Sequence, residues 1–65
     1  MDDNLKALAL EVVKAQALHR ALGYQNTSGL TDEALAEIVI ERQRALTAMV
    51  RAEDALARAV REEKQ

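Results

Sequence analysis

The stretch GYQNTSGLTDEAL, residues 23–35, decides the fold, because it is the one interruption in an otherwise continuous helical pattern. Glycines and small polar residues mark residues 23–30 as a loop. Gly23 suits the left-handed position that follows a helix, and Tyr24 would then fold back on the last turn. The chain on either side of this stretch is predicted to be helical.

Working outward, Thr31 is a favourable N-cap for the second helix, and Asp32 after it suits the positive end of the helix dipole. The apolar periodicity predicts helix 1 at about residues 3–22 and helix 2 at about residues 32–63. The sequence therefore predicts a single domain over residues 1–65. Its fold class is all-α, an antiparallel helical hairpin.

Size and composition predict how this hairpin is stabilised. The chain has 65 residues, no cysteine, one histidine and a net charge of −2. Chains this small usually need disulfides, a metal or oligomerisation. The missing cysteines exclude disulfides and thiolate metal sites, and the single histidine cannot build a zinc site alone. We therefore expect a homodimer in which two hairpins form a four-helix bundle. The acidic N-terminus has no long apolar run, which favours a soluble cytoplasmic protein with no membrane partner.

Helix 1 has two apolar faces, so it is expected to lie between two neighbours. Helix 2 is longer, and helix 1 is expected to cover it only to about residue 53. Leu56, Ala59 and Val60 would then overhang and need cover from another chain. The first face of helix 1 comprises Leu5, Leu8, Val12, Ala15, His19 and Leu22; the second comprises Leu10, Val13, Ala17, Ala21 and Tyr24.

The apolar stripe of helix 2 includes two charges, Arg42 and Glu53. A two-fold axis between residues 47 and 48 would pair Arg42 of one chain with Glu53 of a second copy. Alternatively, both side chains lie at the edge of the stripe and reach water. The predicted dimer interface comprises Leu35, Val39, Arg42, Leu46, Met49, Glu53, Leu56 and Val60.

Nothing in the sequence has the spacing of a catalytic, phosphate-binding or metal-binding motif, so no enzyme activity and no cofactor are predicted. His19 is either a packed histidine near a helix end or a pH-sensitive or partner contact. Arginines at seven-residue spacing on helix 2 form either a solvated, self-paired face, as through Asp54–Arg58, or a phosphate-binding column. The partner-binding candidates are Leu10, Val13, Ala17, Tyr24, Arg44, Arg51 and Arg58.

The whole architecture resembles two kinds of small helical protein. It consists of a helix capped by Asp2 and Asp3 and ending at Leu22, the GYQNTSGL loop, and a long helix that follows Thr31. It is similar to the Rop family of plasmid-encoded RNA-binding regulators, and to very small phage-encoded proteins that inactivate host factors, of the quorum-sensing anti-activator type. The resemblance carries no functional residue across.

The phage type implies a homodimeric protein-binding module, a stoichiometric inhibitor or adaptor of a host regulatory protein such as a transcription regulator. This is the function that the sequence favours. The alternatives are a nucleic-acid-binding regulator of the Rop type and a purely structural subunit.

Overall fold

The computed structural model describes residues 3–63, which form two helices joined by one loop. Helix α1 is Asp3–Gly23, with 21 residues, and helix α2 is Asp32–Glu63, with 32 residues. The helices pack on each other as a hairpin, and no strand occurs in the described part of the chain. The predicted helical hairpin is therefore confirmed. Its extents of 52 × 15 × 11 Å describe one layer, two helices wide and one helix thick.

The end of α1 differs from the prediction. The Tyr24 amide donates to the Arg20 carbonyl at 3.2 Å and to the Ala21 carbonyl at 3.3 Å. Tyr24 therefore still belongs to the last helical turn. Gly23 keeps a negative φ, and the prediction of a left-handed residue there is wrong. Tyr24 is 83% exposed instead of packing back on the helix. With Arg20 in its last turn, α1 ends favourably without a glycine cap.

The left-handed residue lies inside the loop instead. Gly29 has a φ of 78°, and the Leu30 amide donates to the Thr27 carbonyl at 3.4 Å. This hydrogen bond closes a four-residue turn in which Ser28 is the second residue and Gly29 the third. A positive φ at the third residue, with none at the second, is the signature of a type II turn. Just before it, the Ser28 amide donates to Asn26 Oδ1 at 3.0 Å. Side-chain and backbone hydrogen bonds thus order the short polar segment that the sequence predicts as a loop.

Thr31 begins α2 as predicted. Its Oγ1 accepts a hydrogen bond from the Ala34 amide at 3.2 Å, and its carbonyl accepts the first helical bond, from the Leu35 amide at 3.0 Å. The side chain therefore satisfies one of the amides that a helix start leaves without a partner.

One hydrogen bond between the helices indicates their register. Arg42 Nε donates to the Leu22 carbonyl oxygen at 3.4 Å. Asp3 lies 19 positions before Leu22, about 28 Å along the helix, so the start of α1 is level with about residue 61 of α2. Helix α1 therefore lies along α2 from Arg42 almost to its C-terminal end.

The overhang of α2 is consequently at its N-terminal end, and not at the C-terminal end as predicted. Leu56 and Ala59, expected to lack cover within the chain, are half-buried. Residues 32–41 extend past the end of α1, and the loop lies beside them instead. A shallow depression there is lined by Leu22, Gln25, Leu30, Ala34, Glu37, Ile38 and Glu41.

The side chains between the helices form one line on each, at alternating three- and four-residue steps, which we call the inner seam. This spacing is that of coiled-coil packing. Every inner-seam residue is half-buried or buried, and Ala45, at 4% exposure, is the one buried residue within 3–63. The inner seam comprises Leu5, Leu8, Val12, Ala15, His19 and Leu22 of α1, and Leu35, Ile38, Arg42, Ala45, Met49, Ala52, Leu56 and Ala59 of α2.

Candidate interaction surfaces

Half of the large apolar side chains within residues 3–63 are exposed to water. Nine of them are 39–83% exposed, whereas the only buried residue among those described is an alanine. A single layer of two helices has no second layer to cover its faces, which is why these side chains stay uncovered. The nine are Leu10, Val13, Leu18, Tyr24, Leu30, Val39, Ile40, Val50 and Val60.

The second apolar face of α1 forms an exposed line outside the inner seam. Leu10, Val13 and Tyr24 are at least half exposed, and Ala17 between them is exposed too. The structure thus aligns four of the predicted partner-binding residues on one surface. We call this surface the outer face of α1. Its positions, at steps of four and three residues, are Lys6, Leu10, Val13, Ala17, Arg20 and Tyr24.

The eight residues predicted for a dimer interface divide into two groups in the hairpin. Five belong to or border the inner seam and are half-buried, whereas Val39, Glu53 and Val60 are exposed. The apolar stripe of α2 that the sequence predicts as the dimer interface is therefore used in part for contacts within the chain. Only the exposed edge of the stripe is free to contact a second chain. The half-buried five are Leu35, Arg42, Leu46, Met49 and Leu56.

A second line of residues on α2 lies beside the inner seam and also follows steps of four and three residues. Four of its seven residues belong to the predicted dimer interface, whereas Gln43, Val50 and Ala57 were missed, although the spacing could have revealed them. Val50, 55% exposed, is its central apolar residue. We call this line the side strip. It comprises Val39, Gln43, Leu46, Val50, Glu53, Ala57 and Val60.

The side strip lies on the same side of the hairpin as two residues of α1. Ala9 and Gln16 each follow an inner-seam residue by one position, as Leu46 and Ala57 do on α2, and all four are half-buried. In an antiparallel pair of right-handed helices, residues that follow the contact line by one position lie on the same side of the pair, whichever helix they belong to. The hairpin therefore has one mainly apolar side, which we call the open side.

The arginine column of α2 is largely paired with carboxylates. Arg44 Nη1 lies 2.8 Å from Glu41 Oε1, and Arg58 Nη2 lies 3.1 Å from Asp54 Oδ2. Arg51 has no ion pair within residues 3–63. The two paired arginines match the self-paired alternative, and the Asp54–Arg58 pair is the one that the sequence predicts. A shallow groove runs beside the column, lined by Val39, Ile40, Gln43, Arg44, Thr47, Ala48 and Arg51.

Arg42 and Glu53 do not meet within the chain, as their spacing of eleven residues requires. The half-buried Arg42 uses Nε for the Leu22 carbonyl. Glu53 is exposed and has no ion pair within residues 3–63. The exposed carboxylate of Glu53 is thus available for contacts outside the hairpin, and Arg42 has no ion pair within residues 3–63.

The described residues bring together no group of three or more side chains suited to holding a metal ion. Neither α1 nor α2 is long and apolar enough to cross a membrane. The fold and surfaces define a small helical hairpin whose apolar faces are only half covered by its own chain. No protein-family model, curated protein or solved structure matches this chain.

Proposed function

We propose that this chain is a protein-binding module that acts as a homodimer, with two hairpins joined as a four-helix bundle. It works by occupying a second protein, as a stoichiometric inhibitor or adaptor of a regulatory protein, and without catalysis. A cytoplasmic location is part of the proposal, in keeping with a chain that has no cysteine. The carrying observation is that, among the residues that the structure describes, Ala45 alone is buried while nine large apolar side chains are exposed.

The energetic argument for association is simple. Burying a Val or Leu side chain fully is worth roughly 1.5–3 kcal/mol, so half-exposed side chains leave much of that stabilisation unused. A domain of this length has little stability to spare without a disulfide or a metal. A second copy would supply the missing layer.

The open side is the surface that the second copy would cover. It contains Val39, Val50 and Val60 together with Glu53, and Arg42 of the neighbouring inner seam borders it. With a two-fold axis between residues 47 and 48, Arg42 of each copy would face Glu53 of the other. Charge complementarity of this kind fixes register more than it adds affinity.

The arginine column favours protein binding over the nucleic-acid alternative. Arg44 and Arg58 are already bound to Glu41 and Asp54, so their charge is partly neutralised within the chain. The chain as a whole has a net charge of −2, which opposes a general attraction to phosphates. A nucleic-acid role would instead require affinity that falls steeply with salt concentration.

Light scattering on a sizing column tests the dimer. We expect the wild type at twice the 7.2 kDa chain mass, and Glu53→Arg shifted toward monomer with an affinity weaker by about tenfold or more. The double change Arg42→Glu/Glu53→Arg should restore at least part of the dimer. Asp54→Arg is the matched control, because it makes the same charge change one position away and should leave the mass unaltered.

A wild type that stays monomeric at every concentration would overturn the homodimer. Equal weakening by Glu53→Arg and Asp54→Arg would overturn the Arg42–Glu53 register while leaving association itself intact.

A further inference from the structure

The outer face of α1 is a second exposed surface of the hairpin, and all six of its residues are exposed. Leu10, Ala17 and Tyr24 lie opposite the inner seam, where a dimer through the open side would leave them uncovered. Lys6, Val13 and Arg20 each follow an inner-seam residue by one position and therefore border the open side. Lys6 and Tyr24 mark its ends, 18 positions apart, which is about 27 Å or five helical turns. A straight line of side chains at steps of four and three residues is the surface that a second helix packs on.

The charges on this face are mainly positive, although the chain is acidic overall. Lys6 and Arg20 lie on it, and neither has an ion pair within residues 3–63. Glu11 is about 100° around the helix from Leu10 and is bound to Lys14 at 3.7 Å. Within residues 3–63, the one carboxylate aligned with the face is Asp3, at its N-terminal end.

We propose that the outer face of α1 docks an amphipathic helix of another protein, about five turns long, whose apolar stripe is flanked by carboxylates. The proposal rests on the proposed function only in taking the chain as a protein-binding module. Two carboxylates of the partner, about 21 Å apart along its axis, would meet Lys6 and Arg20, which are 14 positions apart. Leu10, Val13 and Tyr24 would pack against the stripe between them, with Tyr24 as the anchor.

The spacing of the charges argues for this partner over a nucleic acid. Successive phosphates of one strand lie about 3.4 Å apart along the helix axis, whereas apolar side chains separate Lys6 from Arg20. An acidic amphipathic helix offers both features that the face needs, since it combines an apolar stripe with widely spaced carboxylates.

The test uses the full-length chain and a fluorescent synthetic peptide of about five helical turns. The peptide carries leucines at alternating three- and four-residue spacing and glutamates flanking them; a matched peptide has lysine at every glutamate position. We expect the glutamate peptide to bind, by anisotropy at physiological salt, at least about tenfold more tightly than the lysine peptide.

Variants of the protein locate the site. Val13→Asp and, separately, Lys6→Glu/Arg20→Glu should each weaken binding of the glutamate peptide by about tenfold or more. The double charge change should also reverse the preference between the two peptides, which mere loss of folding would not do. Arg61→Glu is the control, because Arg61 is an exposed arginine of α2 with no ion pair within residues 3–63, and it should bind like wild type.

Several results would overturn the proposal. They are equal affinity for the two peptides, unchanged binding by Lys6→Glu/Arg20→Glu, or binding to anionic phospholipid vesicles with none to the peptide. Light scattering on the same samples separates this inference from the homodimer. A dimer that ignores the peptide overturns only the docking site, and a monomer that binds it overturns only the homodimer.

Discussion

Arg42 Nε lies 3.4 Å from the carbonyl oxygen of Leu22, so a side chain from the middle of α2 caps the C-terminal end of α1. Carbonyls at a helix C-terminus lack amide partners within the helix and carry the negative end of its dipole. A guanidinium there complements the dipole and adds a second donor to the Leu22 oxygen, which also accepts from the Gln25 amide at 3.4 Å. The contact supplies an intramolecular reason for a cation in the inner seam, beside the dimer contact proposed for the same residue.

Replacing Arg42 should therefore weaken the hairpin. Arg42→Met keeps an unbranched apolar stem but loses the hydrogen bond, and we expect the free energy of unfolding to fall by about 1–2 kcal/mol. Urea titration followed by circular dichroism at a fixed protein concentration measures it. Arg44→Met is the control, since Arg44 pairs only with the exposed Glu41, and it should cost under about 0.5 kcal/mol. Equal losses would mean that the Leu22 contact contributes nothing specific.

The two glycines should respond to alanine in opposite directions. Gly29 has a φ of 78°, where an L-residue is strained, so Gly29→Ala should lower the free energy of unfolding by about 1–2 kcal/mol. Gly23 is helical and no atom lies within 4 Å of an added Cβ, so Gly23→Ala should raise it by about 0.5 kcal/mol. Thermal and urea unfolding of both variants provide the comparison. A destabilised Gly23→Ala would contradict the helical end described for α1.

Thr31 should contribute mainly through its hydroxyl. Thr31→Ala removes the acceptor for the Ala34 amide and should cost about 1 kcal/mol, whereas Thr31→Ser keeps the oxygen and should cost little. Urea denaturation of the three proteins separates the two contributions. If serine proves as damaging as alanine, the methyl group of Thr31 matters and the N-cap bond does not.

The closest packing of the helices at Ala45 should make that position intolerant of bulk. Ala45→Leu adds volume where exposure is only 4%, and it should lower the free energy of unfolding by about 1–3 kcal/mol. Ala48→Leu makes the same change on an exposed surface and should stay within about 0.5 kcal/mol of wild type. The pair is compared by urea titration. A neutral Ala45→Leu would show that the inner seam repacks freely at its centre.

Much of the fold was predictable because it depends on local chemistry. Alternating three- and four-residue apolar steps predict the helices, and a hydroxyl at Thr31 before two acidic residues predicts the start of α2. The pair Asp54–Arg58 follows from the geometry of a single helix turn. The outer face of α1 was equally accessible, since Leu10, Val13 and Tyr24 follow the same periodicity.

The errors concern contacts between the helices and choices within the loop. Either Gly23 or Gly29 could adopt the left-handed conformation. Their spacing from the helices alone favoured Gly23, whereas Gly29 adopts it. Val50 was missed because Arg42 of the inner seam and Glu53 of the side strip were interpreted as parts of a single stripe. Which of two adjacent lines α1 covers depends on the rotation of one helix against the other, and composition does not set this rotation.

By itself, the sequence determined two amphipathic helices, the polar loop between them and the N-cap at Thr31, because each depends on residues within a few positions of one another. The tertiary structure alone decided the register that aligns α1 with α2 from Arg42 onward, and the exposure of the open side and the outer face. These depend on contacts such as Arg42–Leu22, between residues twenty positions apart. Such contacts exist only once both helices have formed and packed.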